Sequence, residues 1–265
     1  MGPMSTILFV HAHPDDESSS TSGTIARAAS EGHRVIVVFA TNGDHGEVPD
    51  DLEPGETLIE RRKREAHASC ALLGVSRVVW LGYRDSGMTG WDGNEHEESF
   101  HRAHPDEALQ RLLRIVDEER VDVLVGYDWH GSYGHPDHIG VHRLTRAAWE
   151  AAAVRPRLLE ATINRDAMRA MAVQLAGMGA PDIFDPDGPM DDGNPMGTPE
   201  AELAWAVDIR DVLFQKRMSL SCHASQAGDI DMFLSMPLDF FEAAFGVEHY
   251  IEAERAPGMV NGWPF

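Results

Sequence analysis

The sequence predicts an α/β fold: a Rossmann-like, mostly parallel sheet with helices on both faces, followed by an elaborated C-terminal third. Three observations carry this. Apolar, β-branched runs recur at 6–10, 35–39, 78–81 and 121–125, with a less regular one at 158–163. Segments of helical periodicity lie among them, at 21–30, 58–73, 107–119 and 139–153, and such alternation is the signature of βαβ units. Two runs rich in His and Asp follow the first and fourth of these strands, at the sheet edge where open α/β folds bind ligands.

Local signals support the elements in order. Gly32 and Gly74 fall just past the first two helices, as C-terminal caps do, and Thr57 followed by Glu60 reads as a capping box. A strand order of 3-2-1-4-5 makes strands 1 and 4 neighbours, so that their following loops open into one crevice. Long connections follow strands 2, 3 and 4; the one at 82–91 is long enough to shape a pocket. Residues 177–200 are rich in Gly, Pro, Asp and Met and read as a surface excursion or lid. No linker divides the 265 residues, so we expect one domain over 1–265, with a core at about 5–165 and a C-terminal elaboration at about 166–265.

Composition narrows the partners. Lys and Arg total 22 against 44 Asp and Glu, a formal net charge of −22 that repels nucleic acid and anionic membranes. A small molecule is the expected partner, and a homo-oligomer is compatible with the sequence. Cys70 and Cys222 are too few for a disulfide framework or a cysteine zinc site, which suits a reducing cytoplasm. No apolar stretch approaches the roughly 20 residues of a membrane span. Residues 1–6 formally fit an acylation pattern, but nothing nearby supplies a second anchor.

The chemistry sits in His11-Ala12-His13-Pro14-Asp15-Asp16-Glu17 and His135-Pro136-Asp137-His138. Catalytic zinc commonly takes three protein ligands and leaves a position open, and His13, Asp16 and His138 would supply imidazole and carboxylate in that number. Ferrous iron suits the same set. Asp15, beside a ligand, is placed to act as general base on a water whose pKa the ion lowers. His135, protonated, would stabilise the oxyanion, with Asp137 accepting a hydrogen bond from its second ring nitrogen. Tyr133 would add a phenolic donor on a loop left free to move by Gly131 and Gly134. His11 reads as structural, and the other histidines, His223 among them, as surface or packing residues. His130 and His142 lie close enough to support the second motif.

These residues resemble the LmbE/PIG-L family of zinc-dependent de-N-acetylases, whose (A)HPDDE and HPDH-type motifs match residues 12–17 and 135–138. Thr41-Asn42-Gly43, Arg62 with Glu65, Leu73-Gly74-Val75, and Lys216 leading to His223-x-Ser225-Gln226 extend the likeness over about 5–226. Residues 84–88 and 132–138 look most like the actinobacterial mycothiol-pathway branch. The resemblance implies an LmbE-like fold, zinc on His13, Asp16 and His138, and Asp15 as base. It also implies His135 and Tyr133 as auxiliaries, with Arg62 and Asp85 contacting the hydroxyls of a sugar or inositol. The implied reaction removes acetate from an N-acetylated amino sugar of the N-acetylglucosaminyl-inositol type. Residues 182–200 and 240–248 depart from the mycothiol enzymes. That keeps open an amidase on a thiol conjugate and a deacetylase of an aminoglycoside or glycopeptide intermediate. A non-catalytic sugar-binding protein and a two-metal phosphoesterase are the readings from other classes.

Overall fold

The computed structural model describes residues 4–177 and 185–265. Residues 1–3 of the acylation pattern and 178–184 of the excursion lie outside the described residues. Eight strands form one sheet in the order β3-β2-β1-β4-β5-β7-β6-β8. They are β1 Thr6–His11, β2 Arg34–Thr41, β3 Arg77–Tyr83, β4 Val123–Tyr127, β5 Arg157–Thr162, β6 Trp205–Asp208, β7 Val247–Glu252 and β8 Val260–Asn261. The first five pair in parallel, in the expected order 3-2-1-4-5. β7 runs antiparallel to both β5 and β6, so the C-terminal third extends the same sheet.

Ile7, Leu8, Phe9 and residues 35–40 are wholly buried. Strands covered on both faces carry continuous apolar runs, which is why these were visible in the sequence. β7 was not, because its inward residues are Glu248 and Tyr250 and its outward ones no more polar. α1 (Ser22–Ser30) and α2 (Leu58–Leu72) pack against α6 (Leu213–Ser221), while α3 (Pro105–Glu119) packs on α4 (Pro136–Ala151). The Thr57/Glu60 capping box is present at the start of α2. α5 (Arg165–Gly177), α7 (Ala227–Leu234) and α8 (Leu238–Phe245) complete the helices among the described residues, α7 and α8 around a small core of Leu220, Ile230 and Phe241.

α3 and α4 begin two and three residues earlier than their periodicity predicts. Pro105 and Pro136 occupy the first turns, where the fixed φ of proline suits a helix start and its missing N–H is not needed. The second motif is therefore the first turn of α4 rather than a loop, with His135 as its N-cap. The first motif runs into a π-helical turn, Glu17–Thr21, that leads directly into α1.

Candidate active site

β1 and β4 deliver the two motifs side by side. His13, Asp16 and His138 are all buried, and their ligating atoms lie within 4.8 Å of one another. Asp16 stands between the imidazoles, its Oδ2 3.4 Å from His13 Nδ1 and its Oδ1 3.3 Å from His138 Nε2. The His13 amide donates to Asp16 Oδ2 at 2.7 Å, which locks that carboxylate against the turn.

His13, Asp85 and His135 make a second buried group of the same dimensions that shares His13. Hydrogen bonding separates the two. His13 Nε2 faces Asp137 Oδ2 at 3.2 Å, and Asp137 is itself pinned by the Ser86 amide at 2.9 Å and the Ser86 hydroxyl. Nε2–H is thus a donor to a carboxylate, leaving Nδ1 free to ligate on the Asp16 side. His138 matches this: its Nδ1 donates to the Gly131 carbonyl at 3.2 Å and leaves Nε2 toward Asp16. Each histidine is oriented by its far nitrogen, as metal-ligating imidazoles are.

Gly131 makes that contact possible. At φ 63° it occupies the left-handed region, and a Cβ there would fall 2.1 Å from His138 Cβ. Gly43 (φ 67°) serves Arg62 in the same way, since a Cβ would meet its guanidinium at 2.5 Å.

The donor set fits a cation. Burial by itself lowers an imidazole pKa, yet Asp85, Asp137 and Asp16 around His13 raise it well above its ordinary value. Asp16 is likewise held well below the carboxylate range, His138 and His13 outweighing its burial. A buried centre that draws in a proton so strongly is one that would hold a divalent ion with two imidazoles and a carboxylate.

Asp15 is different in kind. Its side chain is 26% exposed against 10% for Asp16. Its φ of 106° is rare for any residue but glycine and costs of order 1–3 kcal/mol, and strain of this kind clusters at functional sites. Burial raises its pKa to about 6, against the opposing pull of the Arg62 guanidinium. Arg62 donates to Asp15 Oδ2 at 2.9 Å and to the carbonyls of Pro14 and Gly43 at 2.6 and 2.7 Å. Both of its terminal nitrogens are therefore engaged by the protein, where the family likeness pointed to a substrate hydroxyl.

Asp85 is turned inward, accepting from the Gly87 amide at 2.8 Å and lying 3.4 Å from His13 Nε2. His135 differs from expectation in two respects. Its Nδ1 accepts the Asp137 backbone N–H at 3.1 Å, while the Asp137 carboxylate serves His13 and Ser86 instead. Burial, with His13 and His138 beside it, pushes its pKa down to about 2. His135 is thus a neutral imidazole whose Nε2–H is the available donor. The Tyr133 hydroxyl lies 3.3 Å from His138 Nε2, and burial raises its pKa, keeping it a donor. Its loop is fastened rather than free: the Ser132 amide donates to Asp128 Oδ1, Asp191 N–H to the Tyr133 carbonyl, and Gly197 N–H to the Ser132 carbonyl. The described part of the 177–200 excursion therefore docks on this loop, and Asp191 also accepts from Thr89 beyond β3.

Three supports escaped the sequence reading. Tyr127, the last residue of β4, stacks on His138 at 4.6 Å and bonds His11 Nδ1 at 2.9 Å through its hydroxyl. Ser86 holds Asp137. His223 is fully buried, with Nε2 2.7 Å from Glu17 Oε1. Tyr127 lacked any local signal, whereas Ser86 and His223 both lie in stretches the family likeness had marked. His11 is structural as expected, bonded to Tyr127 and Thr21 and held neutral by burial. His130 lies buried under the Gly197 carbonyl, and His142 bonds the Tyr127 carbonyl at 3.0 Å.

A parallel sheet edge that gathers two imidazoles and a carboxylate beside a second, partly exposed carboxylate is the arrangement of a metal-dependent hydrolase. Residues 8–149 match the family described as PIG-L: GlcNAc-PI de-N-acetylase. The 1D-myo-inositol 2-acetamido-2-deoxy-alpha-D-glucopyranoside deacetylase of Acidothermus cellulolyticus is 38% identical over 264 residues, 93% of this chain and 88% of the relative. The chain belongs to the PIG-L family of deacetylases.

Solved structures that share the fold include a deacetylase and a hydratase. The N,N'-diacetylchitobiose deacetylase of Pyrococcus horikoshii aligns with a TM-score of 0.61 at 21% identity, over 94% of this chain and 83% of that one. The 4-carboxy-2-hydroxymuconate hydratase GalB of Pseudomonas putida aligns with 0.61 at 18%, over 95% and 97%. A deacetylase and a hydratase on one fold make the side chains, rather than the fold, the evidence for a reaction. No helix among the described residues is long and apolar enough to cross a membrane.

Proposed function

We propose that the chain is a zinc-dependent amidohydrolase that removes the acetyl group from an N-acetylated amino sugar of the N-acetylglucosaminyl-inositol type, in the cytoplasm. The observation that carries this is the partly exposed Asp15 carboxylate, with a pKa raised to about 6, next to the buried His13–Asp16–His138 set. His13 Nδ1, Asp16 and His138 Nε2 would hold the ion. When bound, it would polarise the acetamide carbonyl and acidify water, with ferrous iron an alternative occupant.

Asp15 takes the proton of the attacking water, its Oδ2 steadied by Arg62 while Oδ1 has no protein hydrogen-bond partner among the described residues. His135 Nε2–H donates to the carbonyl oxygen as negative charge develops, and Tyr133 adds a second donor. Asp15, now protonated, returns the proton to the departing amine, releasing acetate. Asp137 acts through His13, and Asp85, which the family likeness assigns to a substrate hydroxyl, lies beside His13 Nε2.

Acetate and amine release should be measured from N-acetylglucosaminyl-inositol, N-acetylglucosamine, an N-acetylated aminoglycoside and a thiol-conjugate amide, each with a metal-stripped control and Asp15→Ala. Metal-dependent release of acetate from the inositol glycoside, absent in Asp15→Ala, is the expected result. Turnover of the thiol conjugate alone would replace the substrate, and no turnover by the zinc-loaded protein would remove the reaction.

A further inference from the structure

Asp15 and Asp16 are consecutive, yet one carboxylate faces the ligand trio and the other the half-open side. The difference is made in the backbone, where Asp15 adopts φ 106°. Such a conformation persists only where the surroundings over-determine it. The Asp15 carbonyl accepts from the amides of Ser18 and Ser19 at 2.9 and 3.1 Å. Its own N–H donates to Glu17 Oε2 at 3.0 Å.

Glu17 is wholly buried, and its other oxygen, Oε1, accepts from Ser18 Oγ at 2.9 Å, Ser69 Oγ at 2.5 Å and His223 Nε2 at 2.7 Å. A carboxylate taken out of water needs such a complete set of donors to remain ionised in place. His223 Nδ1 is buried without a hydrogen-bond partner, so Glu17 is the one polar contact of the ring among the described residues. The segment bearing it is fastened in turn, with Ser225 N–H and Oγ donating to Glu65 of α2 at 3.0 and 2.6 Å.

We propose that the His223–Glu17 pair is a positioning device for the base, holding Asp15 in its left-handed backbone conformation so that the carboxylates of residues 15 and 16 point to different tasks. It rests on the assignment of Asp15 as general base made above. His223 and Glu17 touch neither substrate nor ion. Beside the charge that His223 sets near the Asp15 carboxyl, the pair acts through one amide hydrogen bond, and what that bond governs is reach: the carboxylate must extend to Asp15 N–H while His223 holds its far oxygen.

The test uses the zinc-loaded full chain and two near-isosteric changes that separate charge from reach. Glu17→Gln keeps the length and one acceptor oxygen for Asp15 N–H, its NH2 then facing serine hydroxyls and a His223 Nε2 that can turn or change tautomer to accept, whereas Glu17→Asp keeps the charge but withdraws the carboxylate by one methylene. His223→Gln retains a donor near the Nε2 position, and His223→Ala removes it. The first readout needs no substrate: the 15N-labelled Asp15 amide proton resonance reports the bond to Glu17. It is expected to move upfield in Glu17→Asp and His223→Ala and to stay near the wild-type position in Glu17→Gln and His223→Gln.

The second readout is steady-state kinetics on the substrate found above. Glu17→Asp and His223→Ala are expected to lower kcat by about 10- to 100-fold, the scale of a small misplacement of a reacting group. KM and the zinc content should be unchanged, and both glutamine variants should recover most of kcat. Should His223→Ala fail to fold, Glu17→Asp against Glu17→Gln decides alone. The proposal is overturned if Glu17→Asp leaves the Asp15 amide and kcat untouched, or if Glu17→Gln is as impaired as Glu17→Asp. Absence of turnover in the wild type would sink the proposed function, while the amide shifts would still test the positioning.

Discussion

At the residue scale, the neighbouring acids Asp15 and Asp16 are set in opposite ionisation regimes. Asp16, between two imidazoles, is held ionised, and Asp15, partly stripped of water, has its pKa raised to about 6. A general base works only when deprotonated, so kcat/KM should rise with pH through an acid limb at or below about 6, a bound cation pulling it down from that value. Arg62 lowers this pKa, so Arg62→Met should move the limb to higher pH, and a pH profile of the two proteins checks the sign. Asp15→Asn should lose about 10²- to 10⁴-fold in kcat with its metal retained, as measured by elemental analysis. Asp137→Ala should instead weaken metal binding by about 10- to 100-fold, because it removes the acceptor that fixes the His13 tautomer; a competition titration with a chelating dye reads this directly.

At the scale of elements, the catalytic edge is built from strand ends whose turns have little latitude. Gly131, between β4 and α4, meets His138 so closely that Gly131→Ala combines a left-handed φ with a clash against a ligand. We expect it to lower stability by more than about 1 kcal/mol in urea denaturation and to reduce bound metal below one equivalent. The first five strands and their order could be read from the sequence, because doubly covered strands are apolar throughout and crossover handedness prunes the alternatives. The apolar period places α4 three residues late because its first turn is His-Pro-Asp-His, which carries no such period although proline and the acidic Asp137 are both start signals. β7 was illegible because its inward glutamate acquires a meaning only from Lys216, 32 residues earlier.

For the whole molecule, the C-terminal third is bound to the N-terminal motif by buried charge. Lys216 Nζ lies 2.8 Å from Glu248 Oε1 and from the Ser19 carbonyl, and Glu248 also accepts from the Gly23 and Thr24 amides at the start of α1. Removing one partner of such a pair leaves an uncompensated buried charge. Lys216→Met should therefore destabilise by about 3–5 kcal/mol, read from the denaturation midpoint.

The family, the deacetylase class and the two His/Asp motifs that the site is built from were determined by the sequence alone, since they rest on residue types at short spacing that need no knowledge of distant partners. Which nitrogen of His13 faces Asp16, why His135 is neutral, what engages Arg62 and what His223 bonds were decided only by the tertiary structure. Each depends on burial and on hydrogen-bond partners supplied by other elements, up to 206 residues away between Glu17 and His223. A pattern in the chain can name a functional group. Its protonation state and direction are properties of the packed environment.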